Sequence, residues 1–466
     1  MTRQEKDYLG KMTLPDSALY GIQTARAMRN FPVTGMRADP ALIWAFLILK
    51  KAAAQTNMEL RELDRDRGRA IVYAADLILR GQHLDQFVVD VFQAGAGTSF
   101  NMNVNEVLAN LALEHLGAKR GEYDRLSPND HVNMGQSTND TFPTASHLAI
   151  LLLSARLLEV LDALALALER KGEETSRIIK TGRTHLMDAL PVTLGQEFLA
   201  YATAMRKARK RINQRRSDLL ELPLGGTAVG TGVGAHPRFR ARTVSRLAGA
   251  TGWDLKEARD SFEALQSRSE MVAFSGALRE LAVELTRIAN DLRLLASGPV
   301  SGLGEIMLPA VQPGSSIMPG KVNPSIPECL NMICFQVIGN DLAVSMAGQA
   351  GQLELNVMTP LMTYDNLASL RLLDNFLPIF TSSCIEGIKG DEKRCMKSFE
   401  NNPILATFLD KEIGYLKGAG VAKESLRTGR PVKDVAIELG YVSPKKAEEL
   451  FDAKAMATAA HKRRRL

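Results

Sequence analysis

Little in this 466-residue chain invites a disulfide or a metal. Its four cysteines, Cys329, Cys334, Cys384 and Cys395, show no C-x-x-C spacing and stand beside no pair of histidines. A zinc site needs such spacing, so no metal or other cofactor is expected, and reduced thiols point to the cytoplasm. Aromatic residues make up only 6% of the chain, with two tryptophans. That scarcity, beside plentiful Leu, Ala and Met, disfavours sheet and favours helix. Long uncharged apolar runs are missing as well. The most apolar stretch, His147–Leu168, is broken by Arg156, Glu159 and Asp162, which argues for a buried helix over a membrane span. The polar start M-T-R-Q-E-K-D-Y-L-G lacks the apolar centre of a signal peptide. Charge of neither sign dominates; the net value of +6 suits a small anionic substrate without demanding nucleic acid.

What remains is 45% hydrophobic and 24% charged, an ordinary globular balance in a chain too long for one simple core. Three parts are expected: an N-terminal domain over 1–136, a central helical bundle over 137–391 and a small C-terminal domain over 392–466. In the first, helical patterns cover Pro40–Arg61 and Arg67–Arg80. In the second, about five long patterns follow one another. Thr144–Lys171 is apolar on several faces. Pro191 sits at a plausible first helical position of a run to Leu222. Asp260–Ser297 is stopped by Gly298-Pro299, and Ile326–Gln349 and Leu355–Ile388 follow, the last with Pro360 and Pro378 as expected kinks. Helices this long, apolar on more than one side, need several neighbours. An all-α five-helix bundle that buries further faces in a symmetric tetramer fits best.

With helix interiors given to packing, chemistry belongs in the polar loops between them. Gly95–Asn105, Gly135–Asp140, Thr181–Asp188 and Gln312–Pro324 are rich in hydroxyl, amide and glycine residues and poor in carboxylate. That inventory donates hydrogen bonds, so it binds carboxylates and would not hold a hard metal. In G-S-S-I-M-P-G-K-V-N-P (Gly314–Pro324), two glycines and two prolines fix an unusual backbone. Such a loop can converge backbone N–H groups on a serine oxygen, lowering the cost of an alkoxide, as would the Lys321 ammonium. A plain solvent loop has the same composition, but the whole string is more specific than its composition.

That string resembles the signature loop of the aspartase/fumarase superfamily. Q-A-G-A-G-T-S-F-N-M-N-V-N-E (Gln93–Glu106), G-Q-S-T-N-D (Gly135–Asp140) and G-R-T-H-L-M-D-A-L-P (Gly182–Pro191) resemble its other segments, in the same order. The resemblance implies an α-helical homotetramer with a twenty-helix core, each active site drawing loops from three subunits. It implies Ser315 as the catalytic base, with Lys321, Asn323 and Thr184 on one carboxylate of a small dicarboxylate substrate. Thr98, Ser137, Thr138 and Ser316 match the pocket for the other carboxylate. Asn139 and His185 match residues near the leaving group, and Glu328 the acid that orients the histidine. The implied reaction removes a proton beside a carboxylate and then expels the group on the neighbouring carbon.

Two branches differ in nearby letters. G-T-S-F-N-M-N and Q-S-T-N-D resemble aspartases, and Ser127 stands where fumarases usually place a histidine of a second anion site. F-E-A-L (Phe262–Leu265) leans the other way. Elimination of ammonia from L-aspartate is therefore expected, with malate dehydration, or a catalytically silent member of the fold, as alternatives. Two decoys are set aside. Gly230–Ala235 fits G-x-G-x-x-A with Asp254 downstream, but long helices bracket it and the strand that the fingerprint needs is missing. Arg206–Arg216 is dense in basic residues without interleaved aromatics, so a solvated helix face is expected over nucleic acid. The basic tail Lys462–Arg465 is read as a disordered end.

Overall fold

The computed structural model describes residues 1–458, and the basic tail Lys462–Arg465 lies outside them. Among the described residues there are seventeen α-helices and only short strands. In chain order, the hairpin β1 (Thr2–Asp7) and β2 (Gly10–Pro15) leads into α1 (Ile22–Asn30), α2 (Pro40–Leu60), α3 (Arg65–Leu79) and α4 (Thr98–His115). The long α5 (Thr138–Glu174) is followed by a second hairpin, β3 (Ile179–Thr184) and β4 (Met187–Thr193), and by α6 (Leu194–Asp218). Then come β5 (Glu221–Leu222), α7 (Phe239–Thr251), β6 (Lys256–Glu257), α8 (Ser261–Gln266) and α9 (Ser269–Leu295). After β7 (Ile306–Met307), α10 (Ser325–Gln349) and α11 (Thr359–Phe380) complete the long helices, and β8 (Lys389–Gly390) precedes six short helices from Glu392 to Thr458. The all-α expectation holds.

The boundaries differ from expectation where a local device outweighs the apolar pattern. Pro191 does not open a helix. It lies in β4, opposite Thr181, and α6 starts at Leu194 behind a reciprocal cap in which Thr193 and Gln196 each bond the other's backbone N–H. α6 also ends at Asp218, short of Leu222. The Asp260–Ser297 run is split at Arg268, whose φ of 58° no α-helix accommodates. α11 begins at Thr359, so Pro360 sits in its first turn and does not kink it. Pro143 stands inside α5, where its missing N–H leaves the Asn139 carbonyl unbonded within the helix. The buried Arg268 donates to that carbonyl at 3.3 Å.

The chain divides into two compact units. The first comprises residues 1–159, 208–282 and 334–374. Its core includes Phe46, Phe100 and Phe142, with Phe46 edge-on to the other two rings at 5.3 and 5.6 Å. The second comprises 160–207, 283–333 and the chain from Asn375 on, and a cluster of Phe399, Leu405, Leu409, Val421, Val432 and Val435 centres its C-terminal helices. The Arg206–Arg216 run is a helix face held largely in ion pairs and hydrogen bonds: Arg206 to Glu169, Arg211 to Glu280, Arg215 to Asp218, and Arg216 to Ser154. The described helix long and apolar enough to cross a membrane is α10, not His147–Leu168. Only 39% of its apolar window is buried in the single chain.

Candidate active site

In the first unit, the segment Ser137–Asp140 turns into α5 and is held from behind. The buried Asp140 carboxylate accepts N–H groups from Ser137 at 3.1 Å and from Gly225 and Thr227 at 2.9 Å, fixing the loop before the helix. Burial pushes the Asp140 carboxyl up, while those N–H groups and Lys50 pull it down. Ser137 Oγ accepts from Asn139 N, and Asn139 Nδ2 donates to Ala228 O at 2.7 Å. Thr98 is exposed on the first turn of α4. Asn101, one turn on, donates from Nδ2 to Thr138 Oγ at 2.9 Å, tying the two helix starts together. Behind them the buried Lys50 and Asn105 and the half-buried Asn133 and Gln136 form a polar layer that the sequence reading missed. The available signal was Lys50 itself, a lysine on the apolar face of a helix beside Phe46, Ala53 and Ala54.

In the second unit, Thr184 and His185 lie at the tip of the β3–β4 hairpin. His185 and Leu186 have φ of 55° and 60°, the signature of a type I′ turn that Asn-Gly would adopt with less strain. Left-handed non-glycine residues of this kind concentrate at functional sites. The hairpin is clamped along both strands below its turn. Lys180 donates to Glu197 at 2.8 Å and pairs with Glu305 at 2.7 Å, and Arg183 reaches Glu305 at 2.6 Å. Asn402 holds Ala189 O at 2.8 Å. The tip, by contrast, is bare, with Leu186 73% and Met187 70% exposed.

The Gly314–Pro324 loop of the same unit closes on itself: Gly314 N donates to Lys321 O at 2.8 Å and Asn323 Nδ2 to Gly314 O at 2.6 Å. No side chain fits at Gly314, where a Cβ would stand 2.6 Å from Lys321 O and Asn323 N. Inside the turn Ser315 Oγ accepts the backbone N–H groups of Ile317 at 3.2 Å and Met318 at 3.0 Å. Two N–H dipoles on one hydroxyl oxygen favour its deprotonated form. Ser315, Lys321 and the backbone around them line an open hollow of about 540 Å³. Ser316 is exposed, and Glu328 is half-buried in the first turn of α10. Among the described residues no hydrogen bond joins His185 to Glu328, nor the hairpin tip to this loop.

The predicted residues thus form three preorganised pieces: the Thr98/Ser137–Asn139 helix starts, the Thr184–His185 hairpin tip and the Ser315 loop. Sequence and structure comparisons point the same way. The chain matches a family described as lyase over residues 10–339 and one described as fumarase C C-terminus over 405–458. Bacterial proteins named aspartate ammonia-lyase are similar to it, that of Bacillus sp. being 45% identical over 97% of this chain and 96% of its own. A protein named fumarate hydratase class II from Thermosynechococcus vestitus is 46% identical, with coverages of 97% and 96%. The crystal structure titled fumarate lyase:delta crystallin from Brucella melitensis bound to cobalt superposes with a TM-score of 0.95 at 48% identity, covering 98% of this chain and all of that one. The chain is a member of the aspartase/fumarase superfamily of lyases.

Proposed function

We propose that the chain is an aspartate ammonia-lyase, eliminating ammonia reversibly from L-aspartate to give fumarate. The observation that carries this reading is the Ser315 oxygen held under two backbone N–H groups, in a chain that aspartate ammonia-lyases match nearly end to end. Ser315 takes a proton from the carbon beside one carboxylate, and the electron pair left behind spreads into that carboxylate. Thr98, Ser137, Thr138 and Ser316 donate to its oxygens, which carry more charge in the transition state than in the ground state, so their binding accelerates the step. The C–N bond then breaks with its electrons going to nitrogen, and ammonia leaves already fully protonated, needing no acid. Thr184, Lys321 and Asn323 hold the second carboxylate. Asn139 and His185 border the leaving group, with Glu328 orienting the histidine.

This reading places the enzyme in the cytoplasm, in keeping with four cysteines that form no disulfide. It also makes the molecule a homotetramer in which residues 137–391 supply a twenty-helix core and loops of three copies share each site. The exposed stripe Met332, Phe335, Leu342 and Met346 on α10 supports burial between copies. The test supplies L-aspartate and L-malate separately and follows fumarate absorbance. Aspartate turnover that disappears in Ser315→Ala, by at least about a thousandfold, is expected for loss of a general base. Turnover of malate alone would convert the reading to a fumarase, and full activity in Ser315→Ala would remove the base assignment.

A further inference from the structure

Lys50 is fully buried on the core face of α2, and its hydrogen-bond acceptors are two side-chain amide oxygens: Asn133 Oδ1 at 2.9 Å and Gln136 Oε1 at 3.0 Å. An ammonium group has no acceptor, so both amides must turn their oxygens toward it. The remaining amide hydrogens fall into place accordingly. Asn133 Nδ2 donates to Gln136 O at 3.2 Å, and Gln136 Nε2 donates to Val132 O and Met134 O. With Asn133 Oδ1 fixed as an acceptor, Asn101 and Asn105 must offer it their Nδ2 groups, at 3.3 and 3.2 Å. The Asn101 Nδ2 that does so also donates to Thr138 Oγ at 2.9 Å. Thr138 is thereby made an acceptor on its inner side, and its single hydrogen is left for a ligand.

The arrangement carries a visible cost. Asn101 Oδ1 and Asn105 Oδ1 are buried without hydrogen-bond partners, a condition that proteins rarely tolerate. Turning the Asn101 amide over would let its oxygen accept the Thr138 hydroxyl. It would also set that oxygen against Asn133 Oδ1, acceptor facing acceptor, for as long as Lys50 holds Asn133 in place. We propose that Lys50 is a positioning residue for the reaction, acting through Asn133 and Asn101 to aim the Thr138 hydroxyl hydrogen outward to the substrate carboxylate. The ammonium form compels this orientation, whereas a neutral amine, with two N–H donors and one lone pair, would permit it without compelling it. It rests on the reading of Thr138 as a carboxylate ligand.

The experiment measures kcat and KM for aspartate, and inhibition by the unreactive dicarboxylate succinate, in single and paired variants of the assembled enzyme. Lys50→Met is expected to lower kcat/KM roughly 10- to 100-fold, the worth of one donor to a charged oxygen. The loss should appear in kcat as well as KM, because that oxygen gains charge in the transition state. Lys50→Gln, which can still donate to Asn133, should recover part of it. In a Thr138→Val background the Lys50→Met change should add little, since the group it aims is gone. Fully additive losses would overturn the relay, as would unchanged kcat/KM in Lys50→Met. If Lys50→Met does not assemble, Asn101→Leu decides: similar in volume but without a donor, it must by itself reproduce the loss, and normal kinetics would overturn the proposal. Thr138→Val alone separates this idea from the reading beneath it. Unimpaired kinetics there would remove the carboxylate assignment, whereas impaired kinetics with full additivity would remove Lys50 only.

Discussion

At the scale of single residues, Glu305 bears on the site without touching substrate. Burial pushes its carboxyl up, but Arg183 and Lys180 outweigh burial and hold it below the ordinary glutamate value. A carboxyl depressed in the folded state contributes stability that is fully present above its unfolded value of about 4.3, and that is lost as pH falls through the lower folded value. The contribution should therefore disappear on acidification below about pH 4. We expect Glu305→Gln to lower the melting temperature at pH 7 and to flatten its fall between pH 5 and 3. A parallel decline in both proteins would show that Glu305 does not anchor the hairpin. Residues of this kind were not legible beforehand. Glu305 stands in an unremarkable stretch, and its worth comes from two cations more than a hundred positions away. Ser315, by contrast, was legible because its geometry is made locally, by glycines and prolines within its own loop.

At the scale of elements, the long helices followed from apolar patterning, and their ends often did not. Pattern reports which face is buried; caps and prolines decide where a helix starts. Pro191 looked like a helix opener because both a first helical turn and a strand that pairs on one side spare the N–H that proline lacks. The Thr193–Gln196 cap settles the matter. Element junctions also carry the sharpest steric demand. Gly97 precedes α4 with φ of 85°, and a Cβ there would stand 2.1 Å from the Phe142 ring. Gly97→Ala should cost roughly 2–4 kcal/mol through strain and displacement of a packed ring. It should also move Thr98 and with it the proposed carboxylate pocket. Chemical denaturation measures the first effect and succinate inhibition the second; a variant as stable as the parent would contradict the packing argument.

At the scale of the whole molecule, the single chain keeps apolar surface that a monomer has no use for. Phe335 is 58% and Leu342 63% exposed, one above the other along α10. Because Leu342 is exposed, Leu342→Glu should leave the folding of each chain nearly unchanged while preventing assembly. Light scattering after size exclusion would then show monomers or dimers, and aspartate turnover would be lost with the proposed tetramer. An active monomer would contradict a site shared between copies. The same scale marks the limit of sequence reading. The strings around Thr98, Ser137, Thr184 and Ser315 each identified a piece, because each piece is built by neighbours in sequence. The layer behind them left one sign in the sequence, a lysine on an apolar helix face, and no more, because Lys50, Asn101 and Asn133 meet only through tertiary packing.

The proposed outward aim of the Thr138 hydrogen has a consequence for molecular discrimination. A site in which the inner hydrogen-bond order is fixed asks each visitor what it carries at that oxygen. A carboxylate takes the Thr138 hydrogen through either of its oxygens, whereas a carboxamide of the same shape can take it through one atom only. Size cannot tell aspartate from asparagine at that end, so the buried lysine would bias the site toward the carboxylate before any bond is broken.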